Sequence, residues 1–282
     1  MRGKRVVVAT VVALALLVVS GCSDSDDDGG AKETTSTTEA KGPPASPTPQ
    51  RQLQVLVTND DGYQAEGIDT VVNSLRSIEN VKVTVVAPKD QRSGTGGSST
   101  EGDLEVTDVE LASGYPAKAV DGFPADTVRV AVDELGLKPD VVVAGINEGQ
   151  NLGPLVDVSG TVGAARAAVA RGIPALAVSQ GIGEGGVYDY ESALPYVLEW
   201  VDSHRTVFVE GTAPDEVANM NVPTCASGGP KEPVEVPLAT ANEGAYQVQD
   251  CTSTVTDPAD DITGFNAGYV TLTAPIPAKP AT

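Results

Sequence analysis

Leu53-Gln54-Val55-Leu56-Val57-Thr58-Asn59-Asp60-Asp61-Gly62 decides the fold. Its first six residues, rich in β-branched and apolar side chains, read as a short strand that ends abruptly on a polar turn. Gly67 to Ile78 follows with helical spacing (Ile68, Val71, Val72, Leu75, Ile78), and Val81 to Ala87 is a strand again. The alternation continues down the chain. Phe123 to Leu135 reads as a helix with Pro124 in its first turn, where the missing N–H costs nothing. Pro139 to Ala144 is a buried strand, Thr161 to Ala170 an Ala-rich helix stopped by Gly172, and Ile173 to Ser179 a further strand. Apolar strands alternating with helices predict an α/β protein with a Rossmann-like, mostly parallel sheet and helices on both faces. In such a sheet ligands bind beyond the carboxyl ends of the strands.

Composition narrows the chemistry. The 282 residues include a single histidine, His204, which removes multi-histidine zinc sites, H-E-x-x-H metalloproteases and phosphohistidine chemistry with a second catalytic His. His204 itself falls at the end of an amphipathic helix pattern, Trp200 to Arg205, where an imidazole complements the helix dipole and is chemically idle. With 18 Lys+Arg against 39 Asp+Glu the net charge is −21. Such a surface repels phosphate backbones and anionic membrane faces, which excludes a nucleic-acid polymer as partner, while a small anion is admissible if a cation screens it.

The N-terminus reads as an address. Met1 to Arg5 is basic, Val6 to Val19 is a run rich in Val, Ala and Leu without a charge, and Val19-Ser20-Gly21-Cys22 places small residues before a cysteine. This looks like a bacterial lipoprotein signal over residues 1–22, with Cys22 as the lipidated residue, and the run is shorter than the about 20 residues a spanning helix needs. An ordinary signal peptide and an uncleaved anchor are the alternatives. Residues 23–52 carry the Asp26-Asp27-Asp28 run and a Thr-, Ser- and Pro-rich stretch too polar to repay ordering, and are expected to form a disordered tether. The protein is therefore expected outside the cytoplasm, meeting the membrane only through that anchor. Cys225 and Cys251 remain as an even pair in an oxidising compartment, so a disulfide is expected between them. With 25 residues between the two cysteines it would contribute roughly 3 kcal/mol.

Three polar clusters follow strands and converge on one rim. They are Asn59 to Gly62, Pro88 to Ser98, and Gly145 to Gly153 running on to Ser159-Gly160-Thr161 at a helix start. Adjacent carboxylates at the end of an apolar strand repel each other and lose solvation, which a cation between them relieves. Oxygen-only ligands without histidine or thiolate select a hard divalent ion, Mg²⁺ or Mn²⁺, with Ca²⁺ compatible. Asn-Asp-Asp-Gly is equally good turn sequence, so on this cluster alone both readings stay open. The third cluster tips the balance. Free N–H groups at Ser159-Gly160-Thr161 favour an anion, and Asn147 and Asn151 add uncharged donors, beyond what a plain Ser/Thr cap explains. A cation site beside an anion site describes metal-assisted phosphoryl chemistry.

Val57 to Gly62, Ala87-Pro88 with Arg92-Ser93-Gly94, Gly122 to Asp126, Gly145-Ile146-Asn147 with Gly149 and Asn151-Leu152-Gly153, Ser159 to Val162, and Asn221-Val222-Pro223 form an ordered set. In order and near-matching spacing this set resembles the SurE family of survival-protein nucleotidases and acid phosphatases. The resemblance implies a metal-dependent phosphomonoesterase acting on nucleoside 5′- or 3′-monophosphates. It implies Asp60, Asp61, Ser93 and Asn147 as ligands of one divalent ion, and Asn151, Ser159, Gly160 and Thr161 as the phosphate-contacting segment. Catalysis would fall to Asp60, Asp61 and Asn151. It further implies one α/β domain over 53–282 with a smaller, β-rich C-terminal part, from about residue 224, that exchanges elements between subunits of a homodimer or homotetramer. The sequence departs from the family at Gly97 and Val158, which stand where a histidine or an aromatic is often found. An aspartyl-phosphate intermediate fits poorly, because the aspartates are consecutive rather than one residue apart. A dehydrogenase fits poorly too, since no G-x-G-x-x-G follows the first strand. A lipid-tethered protein that binds a metal or a phosphoryl ligand without turnover is the other reading carried forward.

Overall fold

The computed structural model describes residues 51–214 and 216–276. The expected signal and tether, with Cys22, lie outside these residues apart from Arg51 and Gln52. Nine strands form one mixed sheet in the order β3-β4-β2-β1-β5-β6-β7-β9-β8. They are β1 (Leu53–Thr58), β2 (Val81–Pro88), β3 (Val106–Glu110), β4 (Pro116–Val120), β5 (Val141–Glu148), β6 (Ala175–Gln180), β7 (Val217–Val222), β8 (Lys231–Glu235) and β9 (Tyr269–Ile276). The six central strands, β4 to β7 in that order, run parallel. β3 closes one edge antiparallel to β4, and β9 lies antiparallel to β7 at the other.

Alternation along the strands explains the two covered faces. Val55, Val57, Val141 and Val143 point into a core with Ile68, Val71, Val72 and Leu75 of helix α1 (Glu66–Leu75). Val197 and Val201 of α4 (Leu194–Ser203) and Phe208 of α5 (Arg205–Glu210) complete that layer. Leu56, Val142 and Ala144 face the other way, onto Val128 of α2 (Pro124–Arg129) and Val162, Ala165 and Ala168 of α3 (Gly160–Val169). Strands buried on both faces need apolar residues at every position, which is why β1 and β5 read as runs. Alanines on α3 let that helix lie close to the sheet. Thus the expected α/β architecture is the observed one.

The differences are local. Residues 124–134 are helical as expected, but after Arg129 the turns widen to a π-helical stretch over Val130–Glu134. β5 does not stop at Ala144; its pairing with β6 slips between Ala144 and Asn147 and then resumes, carrying the strand to Glu148. Gly145 makes the slip, with φ +135° and no room for a Cβ, which would stand 2.3 Å from the Val178 carbonyl oxygen. β3 and β4 were not legible, since β3 is a mostly exposed edge strand without a clean two-residue alternation. The smaller C-terminal β-rich part is present as expected: β8 and β9 extend the main sheet, packed through α6 (Asp261–Asn266) on a small cluster of Leu152, Ala245, Ile262 and Phe265. The Cys225–Cys251 disulfide is formed, with a Cα–Cα distance of 5.7 Å. Among the described residues no helix is long and apolar enough to cross a membrane.

Candidate active site

Connections leave β1 toward β2 on one side and β5 on the other, so the crevice beyond its carboxyl end is the topological switch point of the sheet. Asn59 to Gly62 turn there, as the turn reading of that tetrapeptide expects. Asn59 Nδ2 donates to the Gly62 carbonyl at 2.8 Å, closing the turn, with Gly62 at φ +95°. The two carboxylates hang from it into the crevice.

Asp60 is buried at 2% exposure and accepts a hydrogen bond from Thr161 Oγ1 at 2.6 Å. Burial pushes its carboxyl up, opposed by hydrogen bonds from the Thr161 hydroxyl and backbone and from Ser93. Asp61 is pushed up to about 7, first by burial, then by the charge of Asp60, with Glu148 adding to the repulsion. The Glu148 N–H, donating to Asp61 Oδ2 at 3.1 Å, and Ser93 act in the opposite sense. Burial raises both acids, and the charge of Asp60 raises Asp61 further, an arrangement that a nearby positive charge would relieve.

Each further residue arrives on its own element. The loop after β2 carries Ser93 to the carboxylates. Arg92 N–H donates to the Asp60 carbonyl at 2.6 Å, and Gln91 brackets Ser93 from both ends, Nε2 to Ser93 Oγ at 2.8 Å and Ser93 N to Oε1 at 2.6 Å. Gly96 N–H donates to the Val158 carbonyl at 2.9 Å, tying the same loop to the start of α3. Asn147 sits just past the slip in β5, where its Nδ2 donates to the Gly149 carbonyl and its buried Oδ1 has no partner. An unpaired buried amide oxygen is costly, and a cation ligated there would satisfy it. Ser93 thus reaches both carboxylates, and Asn147 immediately precedes the residue whose N–H holds Asp61. Among the described residues no three of His, Cys, Asp and Glu cluster as metal ligands, so hydroxyl and amide oxygens must complete any such set.

α3 opens directly on Asp60. Ser159 is its N-cap, accepting from Val162 N at 3.1 Å, so its hydroxyl is engaged in the plain structural role. Thr161 spends its hydroxyl on Asp60. A Cβ at Gly160 would stand 2.7 Å from Asp60 Cβ, so only glycine lets the helix start and the carboxylate approach this closely.

Asn151 has no recorded bond to the carboxylates. Its side chain donates to Ser179 Oγ at 2.9 Å, and its backbone is held by Asn219 and Asn221. Asn147, Ser179, Asn221 and Thr271 lie in one register row across β5, β6, β7 and β9. Sequence reasoning missed Asn219 and Ser179 and gave Asn221 no role. The signal was present, since asparagines at alternate positions of a strand buried throughout demand partners.

It also missed the mouth. A cavity of about 370 Å³ opens beside Asp61, lined by Gln64, Ala65, Glu66, Glu148, Tyr188 and Tyr190. The two tyrosine rings stack, centroids 5.7 Å apart at 14°. Burial, together with Glu148 and Asp61, raises both phenols above their ordinary range. Tyr190 is 7% exposed and Tyr188 half-buried. Val158 stands 55% exposed at the rim, and the space above Gly97 is open. His204 stays away from all of this, bonded to Trp200 and Ser203 and packed on Trp200 and Phe208.

A doubly wound sheet with paired carboxylates, a serine loop and a glycine-opened helix at its switch point defines an α/β protein whose polar residues gather where such sheets bind ligands. The chain belongs to the Survival protein SurE family, which residues 55–246 match. It is 41% identical over 190 residues to a protein of Pelobacter propionicus named 5′-nucleotidase SurE, covering 67% of this chain and 71% of that one. It is 32% identical over 238 residues to a protein of the same name from Clostridium beijerinckii, covering 78% and 92%. The crystal structure of the SurE protein from Aquifex aeolicus superposes with a TM-score of 0.64 at 26% identity, over 81% of this chain and 95% of that one.

Proposed function

We propose that the protein is a phosphomonoesterase that uses one divalent cation to hydrolyse nucleoside 5′- or 3′-monophosphates to nucleoside and phosphate. The observation that carries this reading is the pair of consecutive, desolvated carboxylates at the end of β1, on the neighbouring strand to β5, where Asn147 leaves its buried Oδ1 without a partner. The shared name of the relatives supports a nucleotide as substrate.

Asp60, Asp61, Ser93 and Asn147 would hold the ion through oxygen atoms alone, a donor set that suits Mg²⁺ or Mn²⁺, with Ca²⁺ compatible. When bound, the ion supplies Lewis-acid stabilisation of phosphoryl oxygens and a more acidic water. The chain's own residues do the remaining work. Asn151 and the Gly160 N–H, between Ser159 and Thr161 at the α3 opening, offer uncharged donors that orient the phosphate and stabilise charge on its equatorial oxygens, while Ser159 is committed to the cap and Thr161 to Asp60. An Oδ atom of Asp60 or Asp61 accepts the proton that water loses as its oxygen bonds to phosphorus. The ester P–O bond then breaks, and the leaving oxygen takes a proton to become the nucleoside hydroxyl.

Phosphate release from AMP and p-nitrophenyl phosphate in Mg²⁺ or Mn²⁺ tests the reading. Asp60→Asn and Asp61→Asn are expected to lower it on the order of 100-fold or more. If folded wild-type protein releases no phosphate with any of these ions but still binds AMP, the tethered binding protein is the correct reading. Export through residues 1–22 with lipidation at Cys22 belongs to the same proposal, supported by the basic, apolar and small-residue pattern. Activity on intact cells supports it, and activity confined to the cytosol refutes it. A homodimer or homotetramer is proposed as well. Tyr246 and Val248 of the C-terminal part, 69% and 63% exposed, are apolar surface that a second copy would cover, and light scattering decides.

A further inference from the structure

The cavity beside Asp61 has a chemistry of its own. One wall is aromatic, Tyr188 backed by the buried ring of Tyr190. The others carry Glu66 and Glu148, with Gln64 as a neutral hydrogen-bonding group, and no Lys, Arg or His lines it. Its volume of about 370 Å³ suits a group the size of a nucleoside. It adjoins the carboxylates through Asp61 itself, so the ester group of a phosphate bound beside them has room to extend into it. A flat, neutral group gains from stacking on an aromatic ring, whereas a second phosphate between two glutamates meets like charge without a counter-ion.

We propose that this cavity is the leaving-group subsite, with Tyr188 as its stacking platform and Glu66 and Glu148 as a filter against leaving groups that carry a further phosphate. The inference rests on the phosphomonoesterase reading and adds its specificity-determining residues. Tyr190 acts through Tyr188 and is a positioning residue. The neutral aromatic base is what the pocket selects; the ribose alone would gain little from the ring.

The test compares substrates that share a reacting end. In wild-type protein with Mg²⁺ or Mn²⁺, kcat/KM for AMP should exceed that for ribose 5-phosphate, and Tyr188→Ala should lower this ratio about tenfold, mainly through KM. Tyr188→Phe, which keeps the ring, should restore most of it. Adenosine binding by calorimetry should weaken in parallel in Tyr188→Ala, a readout independent of turnover. Glu148→Gln should raise the rate on adenosine 3′,5′-bisphosphate relative to AMP by about three- to tenfold. An AMP to ribose 5-phosphate ratio that Tyr188→Ala leaves unaltered overturns the platform. A bisphosphate to AMP ratio that Glu148→Gln leaves unaltered overturns the filter, and both can fail while the phosphomonoesterase reading stands. If wild-type protein hydrolyses none of these esters, that reading falls and the subsite assignment with it.

Discussion

The carboxamide of Asn221 grips Asn151 by both of its backbone groups: Oδ1 accepts from the Asn151 N–H at 2.7 Å and Nδ2 donates to the Asn151 carbonyl at 3.1 Å. Asn219 Nδ2 donates to the same carbonyl at 2.9 Å. A loop that would otherwise choose its own conformation is thereby fixed to β7, a central strand. Second-neighbour groups of this kind set catalytic geometry, and displacement by about 1 Å can cost on the order of 100-fold in rate.

Asn221→Ala removes both contacts and leaves the Asn151 N–H buried without a partner. It should destabilise the protein by about 1–3 kcal/mol and lower kcat for phosphate release at least tenfold, with divalent-ion affinity little affected because no ligand of the ion is touched. Steady-state kinetics with metal-binding calorimetry separates the two effects. Parallel loss of metal binding and rate would mean that Asn221 supports the whole crevice rather than Asn151.

How much of this was legible in the sequence depends on how local its cause was. β1, β5 and β6 announced themselves, because a strand covered on both faces must be apolar throughout, and the α1 stripe followed from one buried face. The ends of β5 and the existence of β3 and β4 did not. The slip at Gly145 is imposed by the Val178 carbonyl of a neighbouring strand, and β3 is a polar edge whose pairing partner alone makes it a strand. Likewise Asp60, Asp61, Ser93 and Asn147 could be nominated from strand ends and family resemblance. Tyr188, Tyr190 and Glu66 could not, since they reach the mouth from the segment after β6 and from the first turn of α1, each bland in its own context. Ser159 was read for its anion-facing N–H groups and is also the ordinary cap that the residue type suggests.

Proton binding at Asp61 gives a prediction with a definite sign. Its folded-state value of about 7 lies above the ordinary 3.8, so between those values the folded chain holds a proton that the unfolded chain has lost. The stability it contributes is present below about pH 4 and lost as pH rises through about 7. In metal-free protein the difference in Tm between wild type and Asp61→Asn should therefore move against the wild type from pH 5 to pH 8. Mg²⁺ or Mn²⁺ should raise the wild-type Tm more at pH 8 than at pH 5, because a bound ion displaces the proton. Thermal melts with and without a chelator measure both, and a metal-induced shift independent of pH would refute the coupling.

The disulfide offers a test of how the C-terminal part is held. Cys225 follows β7 directly and Cys251 lies beside Gly268, where a Cβ would come within 2.4 Å of the Cys251 Cα, so the bridge clamps the approach to β9 against the strand that carries Asn219 and Asn221. Closing a loop of this length constrains the unfolded chain by about 3 kcal/mol, so Cys225→Ser/Cys251→Ser should lower unfolding free energy by roughly 2–4 kcal/mol in urea titrations. Hydrogen exchange should quicken first in α6 and β9, which the bridge ties down, before it does in β1 and β5. Because the proposed ligands lie at β1, β5 and the β2 loop, away from the bridge, the kcat of the folded variant should stay within a few-fold of wild type. Uniform acceleration of exchange across every strand would show instead that the sheet unfolds as one unit and that the bridge stabilises it globally.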